Sequence, residues 1–89
     1  MKDYDRPVGF AEVLALTAST ALAVPPLAAR ALIQTEGQNV RWRDDGTAPT
    51  ATTGMLLTSG STLIYTGELS KLRFIEVAAS AKLNVAFYR

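Results

Sequence analysis

The sequence predicts an all-β domain, either a compact antiparallel β-sandwich of jelly-roll-like form or a small barrel, and three observations predict it. Strand-length segments follow one another from Ala28 onward, separated by Gly, Pro and Asp turns, at the spacing of about eight to twelve residues found in sandwiches and barrels. Two of them alternate cleanly: Leu72, Phe74 and Glu76 oppose Arg73, Ile75 and Val77, and Leu83, Val85 and Phe87 oppose Lys82, Asn84, Ala86 and Tyr88. That period of two is the mark of a half-buried strand. No helical pattern is long enough to make crossover connections, which removes a parallel α/β sheet.

Taken in order, Met1 to Gly9 is polar and carries Pro7 and Gly9. It reads as an N-terminal arm, residues 1–9, ahead of a single domain, residues 10–89. From Phe10 to Thr17 the apolar residues are nearly continuous. Phe10, Val13, Leu14 and Thr17 suit a helix, while Ala11, Val13 and Ala15 alternate against Glu12, Leu14 and Leu16 as in a strand, and period alone leaves both open. The mix from Thr17 to Thr20 favours strand plus turn, and Pro25-Pro26 ends whatever precedes it. Ala28 to Thr35 is a strand candidate closed by Glu36-Gly37. In Asn39 to Arg43, Val40 and Trp42 face one side and Arg41 and Arg43 the other. Asp44-Asp45-Gly46 is a strong turn signal. Thr47 to Thr53 holds only Thr, Ala and Pro and forms a loop, after which strands at Met55 to Thr58 and Thr62 to Thr66 are punctuated by Gly54, Gly60 and Gly67. The expected core anchors are Val40, Trp42, Leu72, Phe74, Leu83, Val85 and Phe87.

Composition bounds the function. The 89 residues are 48% hydrophobic and 19% charged, which suits a globular domain and equally an assembly subunit that buries apolar surface against a partner. Nine Lys and Arg stand against eight Asp and Glu, a net charge of +1 with both signs dispersed. With no basic stripe, nucleic acid is not an expected partner. No run approaches the ~18 apolar residues of a membrane span. Ala21-Leu22-Ala23 has the small-x-small shape of a signal-peptidase site, but Asp3, Asp5 and Glu12 precede it, which argues against a cleaved signal.

Histidine and cysteine are both absent. The commonest general base, the commonest metal ligand and the best nucleophile are therefore missing together. Asp44 and Asp45 read as turn residues, and Gly60-Ser61 lacks the strand-turn-helix context of a nucleophile elbow. The expectation is a protein that is not an enzyme and uses no metal or cofactor. Arg41 and Arg43 admit two readings: exposed groups contacting a partner's carboxylates, or groups solvated or paired with Glu36 and Glu76 on neighbouring strands.

The run from Ala31 to Ala51, with Arg41-Trp42-Arg43-Asp44-Asp45-Gly46-Thr47-Ala48-Pro49-Thr50 at its centre, continues through Gly54-Met55-Leu56-Leu57, Leu72-Arg73-Phe74-Ile75 and Leu83-Asn84-Val85-Ala86-Phe87-Tyr88. It resembles small proteins encoded among the head and structural genes of tailed bacteriophages. The resemblance covers about the last two thirds of the chain, from Ala28 onward, and leaves residues 1–27 outside it. It implies a virion structural protein made in the host cytoplasm, foremost a capsid decoration or cement protein. Its partners would be the major capsid protein or another virion protein, and it would form a homo-oligomer. A head-to-tail connector, a tail-fibre attachment module and a receptor- or carbohydrate-binding sandwich are the alternatives. The expected partner contacts are Lys2, Asp3, Tyr4 and Arg6 on the arm, Arg41 and Arg43, and Asp44, Asp45, Thr47 and Pro49 on the loop reaching to Gly54.

Overall fold

The computed structural model describes residues 6–89. Eight strands follow in chain order: β1 Pro7–Val13, β2 Thr20–Ala21, β3 Arg30–Glu36, β4 Val40–Arg43, β5 Met55–Leu57, β6 Thr62–Tyr65, β7 Arg73–Glu76 and β8 Lys82–Tyr88. A short 3₁₀ turn, Leu69–Lys71, leads into β7. The strands form two four-stranded antiparallel sheets. Sheet A has the order β1-β8-β3-β6 and sheet B the order β2-β7-β4-β5.

These orders have one origin. The first strand pairs with the eighth, the second with the seventh, the third with the sixth and the fourth with the fifth. The chain is thus one long hairpin, β1 to β4 against β5 to β8, folded over so that β8 also pairs with β3 and β7 with β4. Winding a long hairpin in this way makes a jelly roll. It settles the choice between sandwich and barrel, because two separate sheets face each other across one core.

Alternation puts the same side chains into that core from both layers. Leu83, Val85 and Phe87 of β8 and Ala31 and Ile33 of β3 point inward from sheet A, each at most 1% exposed. Val40 and Phe74 meet them from sheet B, and Leu16 and Leu72, from the segments ahead of β2 and β7, complete the buried cluster. Each of these side chains except the small Ala31 contributes on the order of 1.5–3 kcal/mol by leaving water. The one buried polar residue among those described, Thr35, donates its hydroxyl to the Thr58 carbonyl at 2.6 Å, and its own carbonyl accepts from Gly60 N at 2.9 Å. It thereby ties the β5–β6 turn to β3 without leaving a buried donor unmatched.

Two expectations are corrected. The expected arm, residues 1–9, runs into the sheet: Pro7, Val8 and Gly9 belong to β1 and lie along β8. β1 is an edge strand, where a proline is tolerated, and the register shifts between Pro7 and Gly9 as at a bulge. Lys2, Asp3 and Tyr4 lie outside the described residues, while the Arg6 carbonyl accepts from Arg89 N at 2.9 Å. The second correction is Trp42. It covers the core from the side and is only half-buried, its ring set edge-on to Tyr65 at a centroid distance of 6.0 Å. Its cross-strand neighbour Met55 is 60% exposed, so the inward row of sheet B has run past the core by this point.

Candidate assembly surface

The loop between β4 and β5 carries the expected contacts Asp44, Asp45, Thr47 and Pro49, and most of its polar groups are engaged within the chain. Arg41 reaches across the loop and donates Nε to the Ala51 carbonyl at 3.2 Å and Nη1 to the Gly54 carbonyl at 2.9 Å. Arg43 closes a two-pronged pair on Asp45, with Nε 3.0 Å from Oδ1 and Nη2 2.5 Å from Oδ2. The hydrogen bond with Arg43 holds the Asp45 carboxyl below its ordinary range and raises the Arg43 guanidinium. Thr47 N leans on the same carboxylate at 3.4 Å. Neither arginine pairs with Glu36 or Glu76; the acceptors come from the turn and loop that follow β4, which lie nearer than the strands on either side.

Asp44 accepts the Tyr65 hydroxyl at 2.6 Å, linking the loop to sheet A. Burial first, then this hydrogen bond and the Asp44 charge, push the Tyr65 phenol up to about 12. Pro49 is buried and so is not a contact residue as expected. The loop folds back tightly at Gly54, whose φ is +137°, and a Cβ there would stand 3.1 Å from the Trp42 carbonyl oxygen and 3.2 Å from the Pro49 ring. Asp44, Asp45 and Thr47 keep exposed surface, but the Arg-Trp-Arg-Asp-Asp-Gly block works first as a brace.

The outer face of sheet A is built differently. Register carries Phe10 opposite Ala86, Ala86 opposite Leu32 and Leu32 opposite Ile64. One apolar row therefore crosses all four strands on the solvent side. Phe10 is 67% and Ile64 70% exposed, and Leu32 stands at 37%. Isolated exposed apolar residues are ordinary, whereas a contiguous row rimmed by polar groups marks an interaction site. On one side of the row the Arg30 guanidinium lies over the Tyr88 ring, 5.8 Å from its centroid. There Arg30, Ala31, Leu32, Ile64 and Tyr88 line a shallow cavity of about 230 Å³.

On the other side the rows turn polar. Glu12 is opposite Asn84, Asn84 opposite Gln34 and Gln34 opposite Thr62, and beyond them Lys82 is opposite Glu36. Lys82 Nζ stands 3.0 Å from Glu12 and 3.7 Å from Glu36. Asn84 donates to Glu36 at 3.0 Å and to Gln34 at 3.3 Å. The Asn84 hydrogen bond and the Lys82 charge lower the Glu36 carboxyl, and the Glu12 contact raises the Lys82 ammonium.

Sequence reasoning missed this surface, because its apolar members come from four separate strands and only the pairing register lines them up. No group of three or more carboxylates stands close enough to hold a metal ion among the described residues, and no helix there is long and apolar enough to cross a membrane. Fold and surface together define a jelly-roll module with one apolar-striped sheet face. Compared with family models, curated proteins and solved structures, the chain matches none of them.

Proposed function

We propose that this protein is a virion structural protein of a tailed bacteriophage, a decoration or cement protein that binds the major capsid protein and does no catalysis. The observation that carries the assembly reading is the Phe10–Ala86–Leu32–Ile64 row across the outer face of sheet A. A cement protein needs a rigid body and an apolar surface that stays open until it docks. The jelly roll supplies the first and this row the second. Jelly rolls recur in viral capsid proteins, but also in lectins and cupins, so the fold adds only an analogy. The resemblance of residues 28–89 to phage head and structural proteins directs the reading to the virion.

Quantitative mass spectrometry of purified particles tests it. Decoration requires on the order of hundreds of copies per particle, whereas a cyclic ring at the neck would hold about six or twelve. The ring number would move the protein to the connector. Particles free of the protein would overturn the virion reading altogether.

A further inference from the structure

We infer that the outer face of sheet A is a two-fold self-association surface whose occupant is a second copy of this chain. The inference rests on the assembly reading of that face and not on its location in a virion. Consider an axis parallel to the strands, midway between β8 and β3, lying in the plane where two such faces meet. Rotation about it lays β8 on the partner copy's β3 and β1 on its β6, row upon row. Strands stacked this way are nearly aligned, as in sandwiches whose sheets cross at about 30°.

The rows fit themselves under that rotation. In the apolar row Phe10 falls on Ile64 and the small Ala86 on the larger Leu32, a pairing that fills space from both sides. In the next row Asn84 falls on Gln34, amide on amide, and Glu12 on the Thr62 hydroxyl. Beyond it Lys82 falls on Glu36, and at the opposite end Tyr88 falls on Arg30. Arg30 and Lys82 balance Glu12 and Glu36, so the faces meet without net repulsion. The contacts already made within one copy, Lys82 to Glu36 at 3.7 Å and Arg30 over Tyr88 at 5.8 Å, would become alternating four-group clusters.

Phe10 supplies a knob and the cavity of about 230 Å³ beside Leu32 and Ile64 a socket on the β6 side of the same face. A two-fold axis makes this contact twice, as an isologous interface must. An axis laid along the apolar row would instead carry Lys82 and Glu36 past the Arg30–Tyr88 row, beyond the paired rows. Three seven-residue strands about 23 Å long and the four-residue β6, spaced ~4.8 Å apart, give a footprint on the order of 400 Å² per copy. That is below the size of a stable interface and is the size of a weak, transient pair.

Sedimentation equilibrium of the full chain, from micromolar to millimolar, reads the outcome. The wild type should shift from monomer to dimer, and Ile64→Lys should raise Kd by about tenfold or more while circular dichroism stays unchanged. Glu36→Lys and Lys82→Glu should each weaken self-association, because each sets like charges across the axis. Mixing the two variants should restore dimers, since both cross-axis pairs then regain opposite charge. A strictly monomeric wild type overturns the inference, as does a dimer indifferent to Ile64→Lys or a mixture that fails to recover. Dimers formed by a protein absent from virions would sink the virion reading and leave this inference standing; abundant virion copies of a monomer would do the reverse.

Discussion

The outer faces of the two sheets use opposite strategies. On sheet B, Arg43 is directly opposite Arg73, and Arg41 lies between Ile75 and Leu56. Like charges facing each other across strands are unfavourable, yet each arginine is satisfied locally. Arg43 holds Asp45, Arg73 donates Nη1 to the Ser70 and Leu72 carbonyls at 3.0 and 3.1 Å, and Arg41 takes the carbonyls of Ala51 and Gly54. Sheet B turns its charges inward on its own loops. Sheet A leaves an apolar row open and keeps its charges at the rim. The stretch that looks most like a binding motif is therefore scaffold, and the surface left open carries no motif at all.

Removing the support that both faces share should have the largest effect. Phe74 is fully buried between the sheets, so Phe74→Ala should cost about 3–5 kcal/mol. Chemical denaturation followed by circular dichroism would measure it. Trp42→Ala removes only a half-buried cover and should cost about 2–3 kcal/mol, below the range for a buried ring. If the tryptophan change proves the more costly, the core is centred on sheet B's edge and the placement of Trp42 is wrong.

The next effect separates the faces directly. Arg41→Gln withdraws two hydrogen bonds from a charged donor, which should cost about 1–2 kcal/mol. It should also speed amide exchange at Thr50 and Thr53, whose backbone groups pair with each other inside the loop. On sheet A, Ile64→Ser should move stability by less than ~0.5 kcal/mol, because Ile64 is already exposed. Equal losses at the two positions would erase the distinction between a braced face and an open one.

The effect confined to high pH concerns the link between the loop and sheet A. Tyr65 has its phenol pushed up from 10 to about 12 in the folded protein. The folded state thus keeps the proton more tightly than the unfolded chain. The associated stability is fully present below pH 10 and falls as pH rises toward about 12. Comparing the tyrosinate titration of the wild type with that of Tyr65→Phe should identify Tyr65 as a late-titrating group, and Asp44→Asn should bring it earlier. A Tyr65 that titrates at its ordinary value would mean that Asp44 does not hold it.

The difference between the faces also explains what could be read from sequence. β4, β7 and β8 were legible because one side of each faces a core, so apolar and polar residues alternate: Leu83, Val85 and Phe87 are buried while Lys82 and Asn84 are not. The segment from Phe10 to Thr17 is ambiguous in sequence because Phe10 in β1 and Leu14 just after it, both 67% exposed, put apolar residues on the solvent side. Its first three residues looked like arm because nothing local makes Pro7 to Gly9 a strand; pairing with β8 does. The turn at Asp44 to Gly46 was legible from composition, with Gly46 at φ +88°. The destination of Arg41 was not, since the Ala51 and Gly54 carbonyls become acceptors only when the loop folds back.

The wound hairpin also dictates when the molecule can become itself. β4 and β5 are joined by one loop and can meet early, but the partner of β1 is β8, nearly the whole described chain away. Contacts so distant make folding slow, in the range of about milliseconds to seconds. β8 is also the strand between β1 and β3, so a nascent chain growing at about 5–20 residues per second holds β1 without its partner for several seconds. During that interval the core-facing Ala31, Ile33 and Val40 have no finished sandwich to cover them. Core surface left open until β8 arrives is thus the kinetic hazard of this topology.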